Sequence, residues 1–275
     1  MGANQAEKGT DMMKHSFLLW MLVMSLFGFS QEQISVELQN TIVLNADKFI
    51  GINMFDEQFV VKDNTLLKTT SDQEYAYKNI QLGDMHTIGI INTLQSSVFY
   101  KDFNVFVQLD KKLGELNTID FNTISDFSTV TYAAMTSNKR LWIFNSDTQQ
   151  LQIYNPQHDS IEASTIPLQE SMLKFYSNYN FCWALSATKL LQFNVYGNLL
   201  NTYALEDYDD FVYYKGYFVL KKSNELFLLS AEETIPKKII LQEIPIKDFS
   251  VTNETLYIYT GKELYSFAIN LKQTD

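Results

Sequence analysis

Short apolar segments recur along almost the whole chain, and within many of them hydrophobic and polar positions alternate. One such segment covers residues 58–62; a turn at Asp63-Asn64 follows it, and the next segment covers residues 66–69. Alternation with a period of two, interrupted by Asp, Asn, Ser and Gly, is typical of β-strands joined by tight turns. The pattern therefore predicts a protein built of short strands.

The strand pattern repeats with a period near forty residues, and an acidic residue opens each repeat. The six acidic openers, separated by 37, 42, 44, 40 and 38 residues, are Asp47, Asp84, Asp126, Glu170, Asp210 and Asp248. Apolar positions in the third strands give a second register, with separations of 39, 46, 39, 36 and 38 residues: Leu66, Val105, Leu151, Leu190, Leu226 and Leu264. Such a period is typical of a β-propeller with one four-stranded blade per repeat. We therefore predict an all-β, six-bladed β-propeller.

The two ends of the repeat array are incomplete in a complementary way. The last unit contains only three strand-like segments, at residues 249–252, 256–260 and 264–269, whereas one extra segment, residues 34–44, precedes the first unit. We predict that this N-terminal strand supplies the missing outer strand of the last blade. Closure of this kind removes the unpaired sheet edges that an open array would expose.

The first thirty residues have the pattern of an export signal. Met13-Lys-His is followed by an almost wholly apolar run, residues 16–27, which is too short to span a bilayer comfortably. We predict an N-terminal extension and signal peptide over residues 1–30, with translation starting at Met13, and a propeller domain over residues 31–275. The mature protein would be exported, either periplasmic or extracellular, with no membrane span after cleavage.

Composition narrows the classes of function. The chain has 32 Asp and Glu against 21 Lys and Arg, for a net charge of −11, which disfavours binding to nucleic acid. Its single cysteine, Cys182, lies among apolar residues and is expected to be a small buried hydrophobe. With only three histidines, no His-rich zinc cluster or Ser–His–Asp triad is indicated. His86 stands at a strand start and could line a central channel.

Two motifs carry a resemblance to known propellers. Lys262-Glu-Leu-Tyr-Ser-Phe and Gly197-Asn-Leu-Leu resemble the step from third to outer strand in six-bladed propellers of the NHL-like kind and, more loosely, of the quinoprotein type. The composition rich in Asn, Lys and Tyr, together with an export signal ending in Ser-Gln, resembles exported proteins of Bacteroidetes-type bacteria. The resemblance implies the fold and carries no active-site motif with it.

The acidic openers are the strongest candidate site, and they have two interpretations. In a propeller, the link into each inner strand lies on one face near the axis, so six carboxylates would surround one mouth of the channel. Such a ring would form a cation site, with Ca²⁺ as the candidate ion, or a negative funnel for a basic ligand. Alternatively, each carboxylate accepts hydrogen bonds from nearby backbone N–H groups, as turn aspartates do. No resident cofactor is expected.

Aromatic residues add candidates for partner binding. Tyr179 and Tyr208 fall in links between strands and are expected to be exposed, while the acidic run Glu206-Asp-Tyr-Asp-Asp210 is interpreted as a solvated loop. We predict a monomeric, exported, non-enzymatic scaffold that binds another envelope protein or a glycan. The alternative is an exported carbohydrate hydrolase or lyase that uses ring carboxylates, with Asp84 and Asp126 as the pair whose change to Asn would test it.

Overall fold

The structure is a computed structural model that describes residues 33–92 and 94–271. Within these ranges it contains 24 β-strands and one 3₁₀ turn, Ser137–Lys139. No helix in this part of the chain is long and apolar enough to cross a membrane. The predicted signal peptide and N-terminal extension, residues 1–30, lie outside the described residues.

Sixteen of the strands form four separate four-stranded antiparallel sheets. In chain order they are β2 Lys48–Ile52, β3 Gln58–Lys62, β4 Thr65–Thr69 and β5 Glu74–Tyr77; β6 Thr87–Gly89, β7 Gln95–Tyr100, β8 Val105–Asp110 and β9 Glu115–Asp120; β10 Val130–Met135, β11 Leu141–Asn145, β12 Gln150–Asn155 and β13 Ser160–Ser164; β14 Met172–Ser177, β15 Phe181–Ser186, β16 Lys189–Asn194 and β17 Leu199–Ala204.

The other eight strands form one eight-stranded sheet. In spatial order they are β18 Asp210–Tyr214, β19 Tyr217–Lys222, β20 Glu225–Ser230, β21 Lys237–Ile240, β1 Gln33–Val43, β24 Glu263–Ile269, β23 Thr255–Tyr259 and β22 Asp248–Thr252.

The prediction of six separate blades is therefore wrong: the structure has four blades and a nearly closed eight-stranded sheet. The cause is strand β1, which pairs on both of its sides. Its residues 36–43 run antiparallel to β24, so the pairing of the N-terminal strand with the last strand is present. Its residues 33–35 also run parallel to β21 and join the two halves into one sheet.

The first strand of each group lies around a central axis. These six inner strands are β2, β6, β10, β14, β18 and β22. The edge strands of the eight-stranded sheet, β18 and β22, contact each other, so that sheet curls on itself, and β22 contacts β2. An all-β propeller results, in which each inner strand turns one unpaired edge towards the axis.

Apolar side chains fill the spaces between neighbouring sheets. All six third-strand positions that gave the second sequence register are at most 6% exposed, which explains why they recur. Cys182 is fully buried in the same core cluster as Trp142, as the sequence predicted. Burial of this kind at every sheet-to-sheet contact holds the ring together.

Three asparagine side chains link one repeat to the next. Each asparagine lies in the turn between the second and third strands of its sheet. Its side-chain amide donates one hydrogen bond to, and accepts one from, the backbone segment that leads to the next inner strand. The pairs are Asn64 with Gly83 and Met85, Asn104 with Ser128 and Val130, and Asn224 with Ile244 and Ile246.

Candidate functional site

A cavity of about 720 Å³, here called the channel, follows the axis between the inner strands. All six inner strands begin at one end of the channel and end at the other. At the far end, the Thr252 hydroxyl of β22 donates to the Ile52 carbonyl of β2 at 2.6 Å, and the Ser137 N–H after β10 donates to the Tyr179 carbonyl after β14. The channel therefore has two ends with different residues, and its size suits a small organic ligand.

The end at which the inner strands begin, here called the basic end, carries Lys48, Lys101, Lys174 and His86. Lys174 forms an ion pair with Asp210 at 2.9 Å. Lys48 and Lys101 form no side-chain hydrogen bond or ion pair with any residue that the structure describes. Three lysines thus stand against two aspartates, Asp210 and Asp248, in a protein whose net charge is −11.

At the basic end, burial first and neighbouring cations second lower the pKa of two basic groups. Partial burial lowers the pKa of Lys48, and the charge of Lys174 lowers it further against the opposing pull of Asp248 and Asp210. Burial, followed by Lys101 and Lys48, lowers the pKa of His86, with Asp102 opposing. An anion placed here would offset the repulsion among these cations.

The structure places the six predicted carboxylates in two different environments. Asp210 and Asp248 line the channel, while the other four are not among the residues that line it: Asp47, Asp84, Asp126 and Glu170. Asp248 Oδ2 accepts the Phe49 N–H at 2.9 Å, and burial raises its pKa. Among the described residues no three His, Cys, Asp or Glu side chains converge on a point that could hold a metal ion. Binding of Ca²⁺ at the openers stays a prediction.

Two of the openers, Asp47 and Glu170, hold turns within their own sheets, which agrees with the second of the two interpretations. Asp47 Oδ2 accepts the Asp63 N–H at 2.6 Å across its own sheet. In the fifth unit the equivalent acceptor is Asp209, whose Oδ2 accepts the Ser223 N–H at 3.1 Å, so that Asp210 is left to face the channel. The sequence could not separate these two adjacent aspartates, because only their register relative to the turn decides which one faces the axis.

Glu170 is the most strongly bound of the openers. Its carboxylate accepts hydrogen bonds from Ser186 Oγ at 2.5 Å and Thr188 Oγ1 at 2.8 Å, and it pairs with Lys189 Nζ at 2.5 Å. Lys189, followed by the two hydroxyls, lowers the pKa of Glu170 to about 2. Asp84 and Asp126 are exposed in their links. A hydrolase that uses Asp84 and Asp126 therefore has no support from the channel lining.

The opposite end of the channel carries exposed apolar side chains, here called the apolar rim: Met54, Phe55, Ile91, Leu94 and Tyr179. Met54, Phe55 and Leu94 are 63%, 64% and 68% exposed. Met54, Ile91 and Tyr179 line the channel, and Phe55 and Leu94 lie on the same loops. Sequence reasoning identified only Tyr179 of this group.

The loops of the apolar rim are held by a repeated turn. The side-chain oxygens of Asn53, Asn92 and Asn178, each just after an inner strand, accept the N–H groups of Phe55, Leu94 and Asn180, two residues further on, at 2.9–3.0 Å. This arrangement is an Asx turn, which fixes the backbone locally. The recurrence of Asn after the inner strand was the sequence signal that could have identified the rim.

The two tyrosines predicted to be exposed differ. Tyr179 is 37% exposed, as expected, and its carbonyl accepts the Thr136 hydroxyl at 2.6 Å. Tyr208 is only 9% exposed and packs edge-on against Phe227, so the expectation of exposure is wrong there. The Tyr208 ring belongs to a buried core cluster, although Tyr208 lies within the acidic run. His86 lines the channel, as predicted.

Comparisons with known proteins identify the fold. No protein-family model matches the chain, and no curated protein matches it in sequence. A catalytically inactive variant of virginiamycin B lyase from Staphylococcus aureus, solved with quinupristin, is 11% identical, with a TM-score of 0.57 over 84% of this chain and 99% of that one. The WD40 domain of Neurospora crassa Pan2 is 10% identical, with a TM-score of 0.50 over 78% of this chain and 75% of that one.

A streptogramin B lyase is 10% identical, with a TM-score of 0.55 over 81% of this chain and 78% of that one. At such identities the likeness shows the fold alone, and the predicted β-propeller class is confirmed. The NHL-like or quinoprotein type and the bacterial source stay predictions. Because these propellers include both lyases and a WD40 domain, the shared fold assigns no activity by itself.

Proposed function

We propose that the chain is an exported, non-enzymatic scaffold that docks another protein of the cell envelope at its apolar rim. The observation that supports this most directly is the group of exposed apolar side chains at one end of the channel. Aliphatic and thioether side chains make up most of the rim, which suits a protein surface better than the aromatic stacking platform that a sugar requires.

The energetics of the rim favour docking. Full burial of a Met, Phe or Leu side chain is worth about 1.5–3 kcal/mol, and Met54, Phe55 and Leu94 are each more than half exposed. Because the Asx turns already fix the loops, a partner would lose little free energy to ordering them. Binding residues often lie on loops positioned by a rigid scaffold, and a few anchor side chains usually carry most of the binding energy.

Export is proposed from the amino terminus. Lys14 and His15 precede the apolar run of residues 16–27, the order found in signal peptides. A protein processed in this way would meet its partner outside the cytoplasm.

A pull-down with matched variants tests the proposed function. The tagged full chain is used to capture proteins from an envelope extract, alongside a variant with M54S, F55S and L94S. The control carries I80S and I166S, which replace two residues that are also exposed, at 83% and 78%, in links that precede inner strands and so lie away from the rim.

We expect the wild type and the control to capture the same protein and the rim variant to lose most of it. No reproducible capture, or capture that the rim substitutions leave unchanged, would contradict the proposal.

A further inference from the structure

The basic end of the channel combines positive charge with access to an interior cavity. Lys48 and Lys101 project there without a hydrogen bond or ion pair to any described residue, and Lys174 has only Asp210 as an ion-pair partner. Elsewhere on the protein, many lysines are paired with carboxylates, as Lys189 is with Glu170 and Lys221 with Asp209. Other lysines, such as Lys112, also lack a carboxylate partner among the described residues, but Lys48 and Lys101 differ from Lys112 in lining an interior cavity.

Behind the lysines, apolar side chains form part of the channel wall. Ile50, Ile88, Phe175 and Val212 line the channel and are half-buried, because one side of each borders the cavity while the other packs against a core cluster. A charged group alone would leave this surface uncovered. A ligand with an apolar body would cover it, and each CH₂ group buried there would strengthen binding about fourfold.

We propose that the channel binds an amphipathic organic acid, whose carboxylate pairs with Lys48 and Lys101 at the basic end while its apolar chain extends along the channel towards the apolar rim. A single negative charge matches the excess of three lysines over two aspartates among the residues that line the channel there. This site lies at the opposite end of the channel from the proposed docking surface and does not depend on a partner protein.

Isothermal titration calorimetry of the full chain with three ligands tests the chemistry. Decanoate has a carboxylate and an alkyl chain, acetate has the carboxylate without the chain, and decyltrimethylammonium has a chain of similar length with the opposite charge. We expect decanoate to bind, acetate to bind at least about a hundredfold more weakly because eight CH₂ groups are missing, and decyltrimethylammonium to give no binding heat. Absence of binding by decanoate, or equal binding by decyltrimethylammonium, would overturn the proposal.

Two substitutions that are expected to change the affinity for decanoate in opposite directions test where the ligand binds. K48Q should weaken decanoate binding about tenfold through loss of a charged hydrogen-bond donor. D210N removes a negative charge and releases Lys174, so it should tighten binding roughly threefold to tenfold. The control K112Q replaces an exposed lysine in the turn between β8 and β9 and should change nothing.

Equal effects of K48Q and K112Q, or weaker binding by D210N, would contradict the assignment. Since D210N is expected to gain affinity, misfolding of a variant cannot produce the predicted pattern.

Discussion

The Glu170 carboxylate holds the turn between β15 and β16 through three partners on one short segment: Ser186, Thr188 and Lys189. These contacts favour its charged form and bring its pKa from the ordinary 4.5 to about 2. A group whose pKa is depressed by folding adds stability above its unfolded pKa and loses it as the pH falls through the folded value. The contribution of Glu170 is therefore present above about pH 4.5 and is lost between there and about pH 2.

Thermal unfolding of E170Q across this pH range is the corresponding measurement. We expect the variant to melt below the wild type at neutral pH and the difference to shrink as the pH falls towards about 2. E243Q, at an exposed glutamate in the link before β22, is the matched control and should follow the wild type throughout. A difference between E170Q and the wild type that is the same at every pH would show that the contacts do not depend on the charge.

At the scale of the element, β1 is the strand that decides how the ring closes. Ile34 is 6% exposed and belongs to the core cluster that contains Ile239 of β21 and Ile269 of β24, the two strands that flank β1. Ile42, on the same strand, is 43% exposed. One strand thus offers a buried and an exposed isoleucine for comparison.

Urea unfolding of the two alanine variants tests the role of β1. I34A should lower the free energy of unfolding by about 2–5 kcal/mol, the usual cost of removing a buried isoleucine side chain. I42A should change it by no more than about 0.5 kcal/mol. If I34A proves as mild as I42A, β1 adds little to the stability of the ring, and its pairing with β21 is incidental.

The elements also show which parts of the fold a sequence can specify. Third-strand positions such as Leu66 and Leu190 recur because each fills the same place in a core, so their spacing predicted the repeat. The pairing of β1 with β24 followed from the missing strand of the last unit. Parallel pairing of Gln33, Ile34 and Ser35 with β21 carries no local signal, because three residues at a strand end have no pattern of their own.

The candidate site was less predictable than the fold. Spacing identified acidic openers, but whether a carboxylate caps a turn, as Asp47 does, or faces the axis, as Asp248 does, depends on one-residue differences in register. The lysines that dominate the basic end come from three different sheets: Lys48, Lys101 and Lys174. These lysines come together only in the closed ring, so no local sequence motif predicts their proximity.

At the scale of the whole molecule, the channel joins two chemically different ends. Its basic end is positive within a protein of net charge −11, and its other end is apolar and held by Asx turns. The negative surface repels free anions at long range, whereas the unpaired lysines attract them at contact.

A crystal structure of the full chain grown with decanoate measures most directly whether the channel is a binding site. The expected result is a carboxylate within hydrogen-bond distance of Lys48 Nζ, with the alkyl chain against Ile50 and Phe175 and directed towards Met54. Decanoate bound only on the outer surface, with the channel free of ligand, would contradict the account.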